Sequence, residues 1–363
     1  LDKYGPRLKN IQKFSSADFG DFRRLENEEL RIPGSILMIP PKFEGQWPSG
    51  FSAGSAGNPK KLNAKIAKRL KIHHIADVTG ENFLEILKAH TATFGKAVAT
   101  NEGEWIIKGF IDVYRRIYTI SVDTKIVSKV LELLLFPMFV EFGKENGLKI
   151  QLCPQQNFYP DLTFTHEASG KKFAVDIKST YRISDSDVNG MTLGAFTGYF
   201  RKRDSNKNTL FPYNQYAGHF VLGVIYSKCD EVADERMQFT LDDLPKIPSV
   251  VKDFQFFAQP KYRIASSRPG SGNTKNIGSV TKIEQLVNGT GPFASLGEEV
   301  YDDYWMFYLT RDMAQALLLE RPYRDLKSYL EYKERGVDKL RAHEKEIARV
   351  AEDEAGKAEE ENE

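Results

Sequence analysis

Gln155-Gln156-Asn157-Phe158-Tyr159-Pro160-Asp161-Leu162-Thr163-Phe164-Thr165 runs through a polar segment, Glu167 to Lys172, into Phe173-Ala174-Val175-Asp176-Ile177-Lys178-Ser179-Thr180-Tyr181-Arg182. Side chains alternate across a strand, so Phe173, Val175 and Ile177 share one face and Ala174, Asp176 and Lys178 the other. Leu162 to Thr165 also alternates, and the intervening turn contains Gly170. The two runs therefore predict an antiparallel hairpin with Asp161 at its start. In such a hairpin Asp161 and Asp176 converge beside an amine, that of Lys178.

Two converging carboxylates suit phosphodiester hydrolysis, because their oxygens can hold a hard divalent cation. Such a cation polarises a phosphoryl oxygen and lowers the pKa of a bound water, while the lysine orients that water and offsets charge on phosphorus. The same short pattern, Pro-Asp followed by Asp-x-Lys, also fits an ordinary surface hairpin carrying an Asp–Lys pair.

The chain of 363 residues has room for one large or two smaller domains, and its 41% hydrophobic and 28% charged content is that of a globular protein. No apolar run approaches the length of a membrane span, and the start, with Asp2, Lys3 and Gly5, lacks a signal-peptide core. The expectation is a cytoplasmic protein with no membrane partner. Two cysteines, Cys153 and Cys229, are too few for a disulfide framework or a thiolate zinc site. The net charge of +1 hides an asymmetry: residues 351–363 hold seven acids and one lysine, net −6, which leaves +7 on the remainder. A moderately basic body suits a polyanionic partner.

Working outward, Ser35 to Ile39 reads as a buried strand, Gly45 to Pro59 as an exposed loop, and Lys60 to Lys71 as a basic helix able to touch phosphates or simply to present a solvated face. Glu81 to His90 predicts a helix. Trp105 to Ile111 and Val113 to Ile120 predict strands that pack in the core or as a hairpin on another subunit. Asp123 caps a long helical pattern that Pro137 is expected to end or kink. Glu132 lies in the most apolar part of that pattern, where it either pairs with Lys129 or turns inward to meet a cation. Tyr199-Phe200-Arg201-Lys202-Arg203 mixes aromatic and basic residues and is a plausible phosphate contact, and Phe220 to Tyr226 reads as a central buried strand. His219, at its start, is read as structural. Gly270-Ser271-Gly272-Asn273-Thr274-Lys275-Asn276-Ile277-Gly278-Ser279 is neither a dinucleotide nor a Walker loop. Its glycines would let backbone approach base edges, and an Asn side chain can pair with adenine.

Gln155-Gln156-Asn157, Tyr159-Pro160-Asp161, Asp176-Ile177-Lys178, Thr180-Tyr181 and the Gly270 to Ser279 loop, with Asp123-Thr124-Lys125, Leu131-Glu132-Leu133, Thr192-Leu193-Gly194, Gln215-Tyr216 and Asp303-Tyr304-Trp305, fall in one order along the chain. In this the chain resembles the EcoRV-like type II restriction endonucleases of the PD-(D/E)xK nuclease superfamily. The resemblance implies an α/β fold with a mixed five-stranded central sheet flanked by helices, acting as a homodimer on double-stranded DNA with Mg2+. It implies residues 80–335 as the endonuclease domain, 1–79 as an N-terminal extension able to add DNA contacts, and 336–363 as a charged tail.

Carried over by position, Asp161 and Asp176 become metal ligands, Lys178 the residue assisting the attacking water, and Glu132 an auxiliary acid near the metal. Gly270, Gly272, Asn273, Thr274 and Asn276 fall in a major-groove loop, Gln155, Gln156 and Asn157 in a minor-groove loop, and Ser179 and Thr180 near phosphates. Phe158 stands where the family has a histidine. The implied activity is site-specific double-strand cleavage leaving 5′-phosphates, in restriction of foreign DNA, at a target related to GATATC. The alternatives are a structure-specific repair or resolving nuclease of the same fold and a catalytically silent DNA-binding protein.

Overall fold

Five strands, Leu148–Leu152, Leu162–His166, Lys172–Tyr181, Tyr216–Lys228 and Val251–Pro260 side by side in that order, form the central sheet of the described residues. The computed structural model describes residues 78–155, 158–231, 233–270 and 275–335. The expected strand at Ser35 to Ile39, the basic segment Lys60 to Lys71, the loop residues Gln156, Asn157, Gly272, Asn273 and Thr274, and the charged tail lie outside the described residues.

The strands are β3 (Leu148–Leu152), β4 (Leu162–His166), β5 (Lys172–Tyr181), β7 (Tyr216–Lys228) and β9 (Val251–Pro260). β3, β4 and β5 form an antiparallel meander, with Leu162 opposite Val175 and Phe164 opposite Phe173. The turn between β4 and β5 places Gly170 at φ +71°, a conformation that suits a residue without Cβ. β5 and β7 then pair in parallel, Asp176 beside Val221, and β7 pairs antiparallel with β9. The sheet is therefore mixed, as expected. A parallel pair needs a long crossover, and residues between Tyr181 and Tyr216 supply it.

Each face carries its own core. On one, α1 (Gly80–Val98) and α2 (Thr124–Asn146) pack through Phe83, Leu87, Val127 and Leu131 against Phe164, Phe173, Val175 and Leu222. Phe83 stacks on Phe173 with centroids 4.4 Å apart. A fully buried Phe or Leu contributes about 1.5–3 kcal/mol, so these contacts, more than helix propensity, decide the helix positions. On the other face Ala174, Val221 and Ile225 meet β6 (Thr192–Ala195), β11 (Asn276–Ser279) and an aromatic group from α4 (Glu298–Met306) that includes Tyr301, Tyr304 and Trp305. The alternation read from the sequence is thus what assigns Phe173 and Val175 to one core and Ala174 to the other.

Both helix starts follow local capping signals. Thr79 caps α1 in a reciprocal capping box with Asn82, and Asp123 Oδ1 accepts from the backbone N–H groups of Lys125 and Ile126 at the start of α2. Such caps are each worth about 1 kcal/mol. Two expected helix ends are corrected. The first helix runs to Val98, well beyond His90, because Phe94 and Val98 are buried too. Pro137 does not end α2, which continues to Asn146. Phe139 and Phe142 are buried on the continuation, and that packing outweighs the hydrogen bond the proline removes.

Trp105 to Ile120 is also less regular than its β-prone composition suggests. Only β1 (Gly109–Ile111) and β2 (Ile117–Thr119) form, and they join β8 (Gln238–Phe239) in a small separate sheet. Trp105 itself is buried in the main core. The tip is not: Val113 is 90% and Tyr114 75% exposed. No helix among the described residues is long and apolar enough to cross a membrane.

Candidate active site

Asp161 lies one residue before β4, and Asp176 and Lys178 point from β5. The two strands tie the carboxylates together through each other's backbone: Asp161 N–H donates to Asp176 Oδ1 at 3.3 Å, and Ile177 N–H donates to Asp161 Oδ2 at 2.8 Å. Lys178 Nζ donates to Asp161 Oδ2 at 3.3 Å and stands 3.8 Å from Asp176 Oδ2. The expected convergence of the three residues is therefore present. The Tyr159–Pro160 peptide that leads into Asp161 is cis.

The carboxylates are not equivalent. Asp176 has a side chain only 5% exposed, against 32% for Asp161. Burial pushes the Asp176 pKa up, but the Lys178 and Lys261 ammoniums and the Asp161 N–H outweigh it and hold Asp176 below the usual carboxylate range. For Asp161 burial wins: with Asp176 and Glu132 adding repulsion, its pKa stays raised despite Lys178 and the Ile177 N–H. Burial likewise opposes charge on Lys178, yet the attraction of Asp161 and Asp176 prevails and raises its pKa, so it is a firmly charged ammonium. Asp161 is thus a carboxylate short of positive charge, which a further cation would supply.

Glu132 takes the first of its two expected positions. It sits on α2 and accepts from Lys129 Nζ at 2.7 Å, while still contributing to the field at Asp161 and Lys178. Among the described residues no three His, Cys, Asp or Glu side chains gather as a ready metal site. The donor set at the site is accordingly two hard carboxylates. That set fits magnesium, which typically takes one or two carboxylates and completes its shell with water and phosphate oxygens.

Beside the carboxylates lies a cleft of about 390 Å³ between the start of α2 and the end of β5, with Lys125, Ser128, Lys129, Glu132, Ser179 and Thr180 on its walls. Ser179 and Ser128 share a hydrogen bond of 2.6 Å, and the Thr180 hydroxyl donates to the Asn189 carbonyl. Thr180 is buried, so its hydroxyl serves the fold, whereas Lys125 adds positive charge to the cleft wall. The basic run at 201–203 turns mostly inward. Arg201 donates to the Tyr308 carbonyl and Arg203 forms a 2.6 Å ion pair with Asp302, which removes both as phosphate contacts in this conformation. His219 is structural as read: it is buried, bonded through Nδ1 to Tyr159 Oη at 2.7 Å and stacked on Tyr213. Burial and neighbouring Lys261 and Arg203 keep it well below the usual histidine range, hence neutral.

The Gly270 loop is framed by strands. β10 (Ala265–Pro269) pairs with β11, β11 pairs with β6, and Gly270 N–H closes the mouth by donating to the Asn276 carbonyl at 2.8 Å. Gly270 is needed at this mouth, since a Cβ there would come within 2.9 Å of Thr192 Cγ2. Gln155 is exposed at the end of the other loop and accepts from Phe158 N–H at 3.3 Å.

The residue that sequence reading missed is Lys261. It follows β9 in the short helix α3 (Lys261–Ile264), and its Nζ lies 3.4 Å from Asp176 Oδ2. Eighty-five positions separate the pair, so no local spacing points to it. A lysine directly after a largely apolar strand ending in Pro260 was the one available signal.

A mixed sheet with its carboxylates and lysine at the β4–β5 hairpin defines a restriction-endonuclease fold. Residues 101–334 match the family described as Restriction endonuclease EcoRV. The Type II restriction enzyme EcoRV of Escherichia coli is 34% identical over 202 residues, which cover 55% of this chain and 81% of that enzyme. The chain belongs to this family, and with it to the type II DNA endonucleases. α1 packs on the central sheet although it precedes the matched span.

Proposed function

We propose that the protein is a magnesium-dependent, site-specific endonuclease that cuts both strands of DNA to leave 5′-phosphate and 3′-hydroxyl ends, in restriction of foreign DNA. The observation that carries this reading is the Asp161, Asp176 and Lys178 constellation, with its two carboxylates cross-tied and its ammonium between them. Asp161 and Asp176 hold the metal, which, when bound, supplies a polarised phosphoryl oxygen and an acidified water. Lys178 remains charged, orients the attacking water and offsets charge as the phosphorus becomes five-coordinate. Glu132 tunes the field from α2. Lys125 holds a backbone phosphate in the neighbouring cleft. Digestion of mixed-sequence DNA with magnesium, followed by sequencing of the fragment ends, tests the reading. Ends with one flanking sequence and 5′-phosphates are expected; random ends, or none, would overturn it.

Symmetric cleavage of two strands calls for two sites related by a twofold axis, so the working unit is a homodimer. Exposed Phe110, Ile111, Val113 and Tyr114 at the β1–β2 tip, with Met237 and Leu241 near β8, support this sheet as the contact between protomers. Val113→Asp with Tyr114→Asp places charge in that contact and is expected to weaken the dimer by roughly 2 kcal/mol or more. Light scattering checks it. A parent that is monomeric both free and on DNA removes the proposal.

Residues 80–335 form the nuclease domain in this reading, with 1–79 and the 336–363 tail as additions. The Lys60 to Lys71 segment lengthens the footprint through phosphates outside the target. Neutralising Lys65, Lys68 and Arg69 together is then expected to weaken binding to all sequences and to lower the slope of log K against log salt by about 2 to 3. An unchanged slope makes this segment a solvated face.

A further inference from the structure

Lys261 is a buried charge for which the proposed chemistry has no use. Sheet register delivers it: Asp176 lies beside Val221 of β7, and Val221 lies opposite Gln259 of β9, two residues before the lysine. Lys261 is 2% exposed. Its Nζ reaches Asp176 Oδ2 at 3.4 Å and lies 4.2 Å from the centre of the Tyr159 ring, which stacks on Tyr199 at 4.6 Å. Lys178 approaches the same carboxylate from a more open position, at 3.8 Å and with a side chain 24% exposed. Withdrawing an ammonium from water this far is unfavourable unless a carboxylate compensates it, and Asp176 is that carboxylate.

We propose that Lys261 is a positioning residue of the metal site: in the metal-free protein it is the resident counter-charge that holds the Asp176 carboxylate in place, and a divalent cation binds against its repulsion. This rests on Asp161 and Asp176 being the metal-holding pair. Replacing the ammonium by an apolar chain of similar length therefore acts unequally on the two states. The metal-free protein loses a compensated pair, whereas the metal-bound protein loses a repulsion. A lysine that served packing alone would lower stability equally in both.

The test compares the full 363-residue chain with its Lys261→Met variant by thermal unfolding, in chelator and in saturating calcium, and measures calcium affinity by calorimetry. In chelator the variant is expected to melt about 6–12 °C lower. Calcium should raise the variant's melting temperature more than the parent's, narrowing that gap by about 1–4 °C, with affinity for calcium rising about three- to tenfold. Equal calcium shifts in both proteins would overturn the proposal.

If Lys261→Met does not fold, the double variant Asp176→Asn with Lys261→Met decides, since it removes both charges. It is expected to melt at or above Asp176→Asn alone, which leaves the ammonium unpaired; a double variant that melts well below that single variant would refute the pairing. The parent's calcium shift, which Asp176→Asn should abolish, tests the metal-holding pair separately. Its absence from the parent would sink that pair, while the double-variant comparison in chelator still judges Lys261.

Discussion

Asp176→Asn is expected to reduce magnesium-supported cleavage by about 10³-fold, the upper end of the range in which removal of one preorganised electrostatic group shows itself in an active site. The amide keeps the volume of the carboxylate but loses the charge that holds a hard cation. Asp176→Ala would make a poorer probe, because Asp176 also compensates buried Lys261 at 3.4 Å, and truncation leaves that ammonium beside a void. Lys178→Ala is expected to be nearly as damaging to the rate, by about 10²–10³-fold, since it removes the charged group between both carboxylates. Conversion of supercoiled plasmid to nicked and linear forms measures both variants, with circular dichroism to show that each is folded. Near-parental cutting by Asp176→Asn would remove the metal-holding assignment.

The sequence revealed the β4–β5 hairpin because its information is local. Alternation over Phe173 to Lys178, a glycine in the turn and carboxylates just before one strand and midway along the other are all set by neighbours in the chain, and the structure pairs them as the alternation requires. The central strand at Phe220 to Tyr226 was equally legible, being apolar on both faces. What stayed hidden depends on distant packing. Pro137 is a local stop signal that Phe139 and Phe142 override. Arg201 and Arg203 look like free cations until Tyr308 and Asp302, about a hundred residues away, engage them. Lys261 reaches Asp176 only through the registers of three strands. Glu132 was ambiguous for a related reason: spacing offers Lys129 as a partner but is silent on whether the carboxylate also contributes to the field at Asp161 and Lys178.

Asn273→Ala is expected to erase much of the preference for the cognate duplex while sparing binding to DNA in general. Pro269 lies opposite Ile277, and Gly270 N–H bonds to the Asn276 carbonyl, so β10 and β11 close the two ends of the Gly270 to Asn276 segment against each other. Asn273 lies between those ends in the sequence, flanked by Gly272 and Thr274. An asparagine amide matches the N6 donor and N7 acceptor of adenine, and such a bidentate pair discriminates by about 1–3 kcal/mol per base. In a symmetric dimer the contact is made twice, so the loss is about 2–6 kcal/mol, or from roughly thirty-fold to more than ten-thousand-fold in preference. A target related to GATATC supplies adenines in both half-sites. Nonspecific affinity comes from lysines on phosphates and is unaffected by an amide, so it should persist with its salt dependence intact. Binding of parent and variant to target and scrambled duplexes in calcium, which occupies the carboxylates without supporting rapid hydrolysis, separates the two terms. If the variant keeps the parent's full preference, Asn273 is not the reader, and the inferred relation to GATATC loses its main support.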